Sequence, residues 1–309
     1  MKNVVITGST SFIGIHIIKE YLKNDCNVIA VARPNSKNLN RLPKSNLLTI
    51  IEIDMKEIDR ITEKIKIEKA DIFYHLAWNG TRLPYRNDTS IQEENYYFAI
   101  KAMRAAKLLG CDTFIGAGSQ AEYGKCIGEI SETHSSKPTD EYGKAKLKAY
   151  ETLRKIAVKN NIKFIWARIF SVYGIYDYKE TLVMSVLHKM IKNENVQLTK
   201  CEQMWDFIYV EDLARAMYLL ANASCFDGIY NMASGESRKL KEFIIDMKNT
   251  CKSKSKLQFG AIPYNNETAA GFEPLVDKLK QNTGWSCNVS FIDGIKKIIK
   301  FMNYNIECE

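Results

Sequence analysis

Short apolar runs alternate with longer amphipathic stretches along the first half of the chain. The short runs have the length and composition of buried strands, and the longer stretches have the apolar spacing of helices. The predicted strands are 2–7, 27–32, 48–53, 71–75, 112–117 and 162–169. The predicted helices between them are 12–24, 56–68, 90–109 and 142–160.

This alternation of strand and helix predicts an α/β fold, a doubly wound parallel sheet with helices on both faces. After about residue 175 the pattern becomes less regular, which predicts a smaller mixed α/β region beside the sheet. A substrate is expected there, at the carboxyl ends of the strands. The predicted elements of this region are helices at 180–192, 211–222, 238–250 and 291–302 and a short strand near 228–231.

Composition narrows the class of protein. The chain has 309 residues and no apolar stretch long enough to span a bilayer, and its N-terminus carries no signal-peptide pattern, so we expect a cytoplasmic protein without a membrane partner. The eight cysteines and four histidines show no metal-ligand spacing, so we expect reduced thiols and no metal site. The net charge of +8 is dispersed, which favours an anionic small substrate over a nucleic-acid partner.

The motif TGSTSFIG, residues 7–14, lies between the first strand and the first helix. Gly8 allows a tight turn and Gly14 allows close packing of helix on strand. The start of the helix offers free N–H groups and a positive dipole end to a pyrophosphate. Ser11 stands where such a motif usually has its middle glycine, and serine suffices only if the backbone there needs no positive φ.

The end of the second strand indicates which dinucleotide binds. NAD sites usually have an acidic residue there, which holds a ribose hydroxyl. Here Arg33 follows the strand, placed to stack on adenine and contact a 2′-phosphate, unless it is simply one loop cation of a lysine-rich protein. We therefore predict NADP(H) rather than NAD(H). Asp54, after the third strand, is a candidate for contact with the adenine amino group.

Two segments place a tyrosine and a lysine one helical turn apart. YGKAK contains Tyr142 and Lys146, and YFAIK contains Tyr97 and Lys101. A nearby ammonium lowers a tyrosine pKa, which suits a tyrosine that exchanges a proton with a sugar oxygen. Only Tyr142 follows a strand end with a hydroxyl, Ser119, so Tyr142 is the predicted acid/base and Tyr97 is expected in the core or an interface.

With these motifs in place, the chain resembles the extended short-chain dehydrogenases/reductases of the nucleotide-sugar epimerase/dehydratase family. The resemblance covers nearly the whole length and also rests on DIFYHLA, a long helix containing Asn95, ARIFSVYG, WDFIYVEDLARA, YNMASGES and NTGW. It implies a Rossmann domain over 1–172, a nucleotide-sugar-binding region over 173–309 with elements returning to the first domain, and a homodimer. It also implies catalysis by Ser119, Tyr142 and Lys146.

The motifs also assign binding residues. The predicted cofactor-binding residues are Gly8, Thr10, Ser11, Phe12, Ile13, Gly14, Arg33, Asp54, Met55, Leu76, Ala77 and Lys146. The predicted substrate-binding residues are Trp78, Arg82, Ser119, Gln120, Ser171, Trp205 and Asn231. Tyr85 and Arg86 follow the fourth strand and either line the sugar pocket or are ordinary loop residues.

Departures from the family pattern select among its activities. Gln120 and Ala121 stand where sugar 4,6-dehydratases have an acidic pair, and Glu122 comes one place late, so elimination lacks its acid and base. Trp205 replaces a common arginine and either stacks on the substrate or lies in the core. HLAW, SQAEYG and WDFIYV together resemble 4-keto reductases such as the abequose synthase group.

Three functions follow from these residues. The leading hypothesis is an NADPH-dependent reductase of a 4-keto nucleotide sugar. The second is a nucleotide-sugar 4-epimerase that retains NAD(H), against which the missing acid after the second strand counts. The third is a silent relative that binds cofactor as a sensor, although such relatives typically lose the tyrosine or the lysine, and this chain keeps both.

Overall fold

The computed structural model describes residues 1–224, 227–264 and 271–306. Its strands are β1 (Asn3–Thr7), β2 (Asn27–Ala32), β3 (Leu48–Glu52), β4 (Ile72–His75), β5 (Thr113–Ser119), β6 (Glu129–Ile130), β7 (Lys163–Ile169), β8 (Ser171–Tyr173), β9 (Val196–Leu198), β10 (Met204–Trp205), β11 (Phe207–Tyr209), β12 (Gly228–Met232), β13 (Arg238–Lys239), β14 (Leu257–Phe259) and β15 (Glu273–Pro274). Its α-helices are α1 (Phe12–Lys23), α2 (Thr89–Leu108), α3 (Glu141–Lys159), α4 (Leu182–Ile191), α5 (Val210–Asn222), α6 (Leu240–Cys251), α7 (Asp277–Thr283) and α8 (Phe291–Ile306).

One parallel sheet organises the fold. Its strand order is β12-β7-β5-β4-β1-β2-β3, so the chain winds outwards from β1 in both directions. The predicted α/β doubly wound fold is confirmed, and each of the six strands predicted in the first half is present within a few residues. β12 comes from the C-terminal half and pairs with β7, so the second half of the chain completes the sheet of the first.

Helices cover both faces of this sheet because its inner strands are buried on both sides, whereas the edge strand β3 is largely exposed. α1 and α5 pack together on one face, and α2 and α3 pack together on the other. A third apolar cluster joins α4, α6 and α8 beside the sheet, and it contains the short strands β9 and β11. Among the residues described, no helix combines the length and apolar content needed to cross a membrane.

The segment predicted as an α-helix over 56–68 is instead a 3₁₀ helix over Met55–Glu63. Its buried side chains are Met55, Ile58 and Ile61. They recur every three residues, which matches the three residues per turn of a 3₁₀ helix better than the 3.6 of an α-helix. That prediction was therefore wrong in helix type and in the C-terminal boundary.

Candidate active site

Two glycines bring the start of α1 close to neighbouring backbone. Gly8 has φ +68°, and a Cβ there would lie 2.8 Å from the backbone nitrogen of Ala77 after β4. A Cβ on Gly14 would lie 2.3 Å from the carbonyl oxygen of Gly8. Only glycine fits at either position, so the turn is built for close backbone approach at the N-terminus of a helix, as a pyrophosphate requires.

Ser11 is compatible with this turn without being a glycine. Its φ is −75° in extended backbone, and its Oγ accepts a hydrogen bond from the Gly14 N–H at 3.1 Å, which caps α1. The condition under which serine suffices here, a backbone without positive φ, is met. The Ser11 hydroxyl is therefore already engaged in holding the helix start.

A cavity of about 420 Å³ opens beside this turn, at the carboxyl ends of β1, β2 and β3. Arg33 is exposed at its edge, the Thr10 hydroxyl lies 3.2 Å from that of Ser36, and Asp54 caps the helix that begins at Met55. The cavity size and the glycine turn fit the adenosine and pyrophosphate parts of a dinucleotide. Of the residues predicted to bind cofactor, the cavity is lined by Gly8, Thr10, Ser11, Arg33, Asp54, Met55, Leu76 and Ala77.

A second cavity of about 450 Å³ adjoins the first through Ser11, Leu76 and Trp78, which line both. Phe12, Ile13 and Ser171 also line it. The three predicted catalytic residues meet here: Ser119, Tyr142 and Lys146.

The elements around this second cavity explain why the three catalytic candidates converge. Ser119 is the last residue of β5, and α3 begins at Glu141 directly over that strand end. The Ser119 side chain is close enough to Tyr142 to lower the pKa of its phenol, and Lys146 Nζ donates to the carbonyl oxygen of Ala117 at 2.6 Å. A hydroxyl, a phenol and an amine therefore face one apolar cavity that can hold a carbonyl compound.

Electrostatics at the site differ from the prediction that Lys146 lowers the Tyr142 pKa. Burial raises the pKa of Tyr142, which the Ser119 side chain and the cation of Arg86 partly oppose. Lys146 is itself only 3% exposed, and burial lowers its pKa to about 7. The lysine is thus partly neutral at physiological pH, and it contributes less charge to the tyrosine than its spacing suggested.

The second tyrosine–lysine pair lies elsewhere. Tyr97 is 54% exposed on α2, so the alternative that it belongs to the core is wrong. Lys101 Nζ lies on the surface, with the backbone carbonyl of Lys56 and the carboxylate of Asp59 as its partners. Neither residue lines the cavities described above.

A third cavity of about 740 Å³ extends from the catalytic one, and Arg82 and Trp205 line both. Gln120 lies in this outer cavity, and Trp205 packs against Phe272 at 5.6 Å between ring centres. Arg82 stacks on Tyr178, with its guanidinium carbon 3.8 Å from the ring centre. Tyr178 lines all three cavities, and no motif in the sequence marked it.

One predicted substrate-binding residue has a different role. Asn231 is fully buried, and its amide accepts a hydrogen bond from Tyr123 Oη and donates to the carbonyl oxygens of Ile130 and Leu275. Its side chain is therefore saturated by protein groups and ties β12 to neighbouring segments. Asn231 lines none of the three cavities described above, so its assignment to substrate binding stays a prediction that no contact in the structure supports.

Glu122 also has a structural role that its place in the sequence did not reveal. It is fully buried, and its carboxylate accepts hydrogen bonds from Trp166 Nε1, from Arg168 Nε at 2.8 Å and from the Ser119 backbone N–H. Burial raises the pKa of Glu122, and the Arg168 guanidinium opposes that effect. The carboxylate thus fixes the strand end that carries Ser119.

The loop after β4 is held by amide side chains. Asn95 of α2 bonds both the backbone N–H and the carbonyl of Asn79, and Gln92 accepts a hydrogen bond from Trp78 Nε1. These bonds place the Trp78 ring 3.6 Å below Lys146 Nζ. The loop thereby forms one wall of both inner cavities.

The chain is similar to known proteins along nearly its whole length. The chain is 26% identical over 307 residues to CDP-abequose synthase of Salmonella muenchen, covering 96% of this chain and 97% of that protein. It is 27% identical over 313 residues to dTDP-4-dehydro-6-deoxyglucose reductase of Escherichia coli, covering 97% of each. Its fold matches UDP-glucuronic acid 4-epimerase from Bacillus cereus in complex with NAD, with a TM-score of 0.84, 20% identity and coverage of 98% and 99%.

The family itself is set by a match over most of the chain. The sequence pattern of the NAD dependent epimerase/dehydratase family matches residues 4–233. This span includes the glycine turn, the end of β5 and the first turns of α3. The chain therefore belongs to the NAD dependent epimerase/dehydratase family.

Proposed function

We propose that this protein is an NADPH-dependent reductase of a 4-keto nucleotide sugar. The observation that carries the proposal is the convergence of Ser119, Tyr142 and Lys146 in one cavity that adjoins the glycine turn. The relative from Escherichia coli is named as a reductase of a dTDP-linked 4-dehydro sugar, which supports this reaction class.

The chemistry needs one hydride and one proton at a carbonyl group. Hydride for the carbonyl carbon comes from the reduced nicotinamide when the cofactor is bound. The Tyr142 hydroxyl donates its proton to the carbonyl oxygen, and the Ser119 hydroxyl orients that oxygen. Lys146 uses one N–H on Ala117 and has further donors for the cofactor ribose. The carbonyl thereby becomes an alcohol, and the phenol is restored by a proton from solvent.

The side chains that follow β5 argue against water elimination. Gln120 and Ala121 carry no acid, and Glu122 is enclosed by Trp166 and Arg168. A buried, paired carboxylate cannot reach a substrate in the cavity without breaking its ion pair, which costs roughly 3–5 kcal/mol. A reduction needs no such acid, so the same residues are sufficient for it.

NADP(H) is the proposed cofactor because of Arg33. This residue is exposed at the rim of the cavity that fits adenosine, and among the described residues no carboxylate lies within ion-pair distance of it. An unpaired guanidinium is free to make charge-assisted hydrogen bonds to a 2′-phosphate. The two hydroxyls of Thr10 and Ser36 lie in the same region and add donors.

A 4-epimerase with retained NAD(H) is the second candidate. It is favoured by the fold match to a 4-epimerase whose structure holds NAD, and it would use the same serine, tyrosine and lysine. The two reactions differ in whether the reduced cofactor leaves: a reductase consumes NADPH, whereas an epimerase returns its hydride to the substrate. Cofactor turnover therefore separates them.

The test is NADPH oxidation, followed near the reduced-nicotinamide absorbance band, with CDP-, dTDP-, GDP- and UDP-linked 4-keto sugars. We expect stoichiometric oxidation with at least one of them and no absorbance from tightly retained cofactor in the purified protein. Retained NAD(H) and product formation without added NADPH would instead establish the epimerase.

Arg33→Ser tests the cofactor assignment separately. We expect NADPH affinity to fall roughly tenfold or more, since hydrogen bonds to a charged phosphate contribute about 1.5–3 kcal/mol, with NADH affinity unchanged. Arg104→Ser removes an exposed arginine from α2 and should alter neither affinity. Equal losses for both cofactors in Arg33→Ser would contradict the assignment.

A further inference from the structure

Arg86 is the cation placed directly against the Tyr142 ring. Its guanidinium carbon lies 4.5 Å from the ring centre. Nε donates to the Asp140 carboxylate at 2.8 Å, and a terminal N–H donates to the carbonyl oxygen of Thr81 at 3.1 Å. Asp140 also caps α3, the helix that carries Tyr142. The cation and the phenol are therefore fixed to the same helix start.

The amine one turn away is less well placed for this purpose. Lys146 Nζ lies 5.7 Å from the Tyr142 ring centre but only 3.6 Å from the Trp78 ring, and it donates to Ala117. Its burial favours the neutral amine as pH rises above 7. Arginine, in contrast, keeps its charge throughout the pH range in which proteins are folded.

The remaining charged groups around Tyr142 are anions or neutral. Glu122, from the turn after β5, and Asp140 both oppose a phenolate. His75, at the end of β4, is fully buried, and burial lowers its pKa to about 3, so it carries no charge near neutrality. Among the described residues facing this ring, Arg86 is thus the one cation with a charge that does not depend on pH.

We infer that Arg86 is a positioning residue for proton transfer, whose guanidinium, clamped by Asp140 onto the Tyr142 ring, stabilises the phenolate that remains after the proton has left. This inference rests on the proposed function, because it concerns the proton that Tyr142 gives to the substrate. A cation on a ring face is attracted to it, and the attraction strengthens when the ring becomes an anion. Arg86 therefore adds a permanent charge beside the phenol to the contribution of Lys146.

The first test needs no turnover. Tyrosine labelled with ¹³C at Cζ reports phenol and phenolate by its chemical shift, and Tyr142→Phe identifies the resonance. At pH 10.5 we expect Arg86→Gln to reduce the phenolate fraction of Tyr142 several-fold, which corresponds to a rise of about one pKa unit. Arg86→Lys keeps a cation and should recover most of that fraction, and Arg104→Gln should leave it unchanged.

A phenolate fraction that is equal in the wild type and in Arg86→Gln, zero in both included, overturns the inference. The NMR measurement gives a result even if the protein turns over no keto sugar, so that result does not depend on the proposed function. Conversely, absence of NADPH oxidation in the wild type contradicts the proposed function and leaves the NMR result to decide on Arg86.

The second test uses the pH profile of alcohol oxidation, in which Tyr142 must be a phenolate to accept the proton. Arg86→Gln should move the acidic limb of kcat to higher pH by about one unit, so rates on that limb fall about tenfold. KM should change little, and Arg86→Lys should restore the limb. A kcat lowered equally at every pH, with the limb unmoved, would show a purely structural role and overturn the inference.

Discussion

Helices α2 and α3 carry the same tyrosine–lysine spacing with opposite surroundings. Tyr97 on α2 is 54% exposed, whereas Tyr142 on α3 is 8% exposed. Lys101 is bound at the surface, and Lys146 is buried against the Ala117 carbonyl. In each helix the spacing puts the tyrosine and the lysine on the same face. The chemistry available to a pair therefore depends on whether that face packs against a strand end or is exposed to solvent.

The sheet determines which face becomes a site. Asp140 starts α3 over the carboxyl end of β5, so the first turns of α3 bring Tyr142 against Ser119. α2 starts earlier, at Asp88, and Tyr97 lies in its third turn, where the helix faces solvent. The position of a pair relative to a strand end is therefore as informative as the pair itself.

Removing the two phenolic hydroxyls gives the largest predicted contrast. Tyr142→Phe should lower kcat for keto-sugar reduction by roughly 10²- to 10⁴-fold, because the proton donor is lost. Tyr97→Phe should leave kcat within about twofold, since its hydroxyl contacts neither cavity. Steady-state NADPH oxidation measures both variants, and comparable losses would show that burial does not distinguish the pairs.

Replacing the two lysines tests the electrostatic side of the comparison. The pKa of Lys146 is about 7 when folded and 10.5 in its ordinary state, so between these values the unfolded chain binds more protons and wild-type stability rises with pH. The free energy of unfolding of Lys146→Met minus that of the wild type should therefore be greatest below pH 7. This difference should shrink by a few kcal/mol towards pH 10. Urea unfolding at pH 6, 8 and 9.5 measures it.

Lys101→Met is the matched control, because the Lys101–Asp59 ion pair at 3.4 Å is near the surface. Its effect on unfolding free energy should stay below about 1 kcal/mol and vary little over the same pH range. If the Lys146→Met difference were equally flat, the account of Lys146 as a buried amine would be wrong.

Ser119→Ala tests whether the hydroxyl at the end of β5 contributes to kcat. Losing one hydrogen bond to the developing alkoxide should lower kcat roughly ten- to a hundredfold. Ser185→Ala removes a hydroxyl from α4 that bonds the Leu182 carbonyl outside both inner cavities, and it should have no effect on kcat. An active Ser119→Ala variant with wild-type kcat would show that Tyr142 alone orients the carbonyl.

The smallest expected effect is at the glycine turn. Ser11→Gly should cost only a few tenths of a kcal/mol of stability, and Ser11→Ala about 1 kcal/mol, because Ser11 caps α1. NADPH affinity should change little in Ser11→Gly, since that hydroxyl already binds the Gly14 N–H. A loss of affinity of tenfold or more, measured by fluorescence titration, would show instead that the hydroxyl contacts phosphate.

The sequence predicted the large sheet because continuous apolar runs signal buried strands. It did not predict the pairs β8–β11, β10–β13, β9–β14 and β6–β15, since strands of two or three residues carry no periodicity and their partners are distant in sequence. β10 and β13, for example, join Trp205 to Arg238 across more than thirty positions.

Candidate site residues were predictable where a strand end or helix start fixes them, as for Ser119 and Tyr142. Roles that depend on long-range contacts were not. The sequence offered Arg86 as a residue of the sugar pocket or an ordinary loop residue, and it lines the outer cavity. Its stacking on Tyr142 was not predictable, because that contact requires the loop after β4 to reach α3. The structural role of Asn231 was not predictable for the same reason, since its three side-chain partners come from other segments.

An isotope label followed from the cofactor to the sugar shows whether the enzyme reduces a keto sugar. NADPH carrying deuterium at the transferred position of C4 is incubated with each nucleotide-linked 4-keto sugar, and the product is analysed by mass spectrometry. We predict one deuterium in the product alcohol for each NADPH consumed. With Tyr142→Phe, the rates of deuterium transfer and of NADPH consumption should both fall by roughly 10²- to 10⁴-fold. Formation of an unlabelled epimer without net NADPH consumption would contradict the proposed reduction.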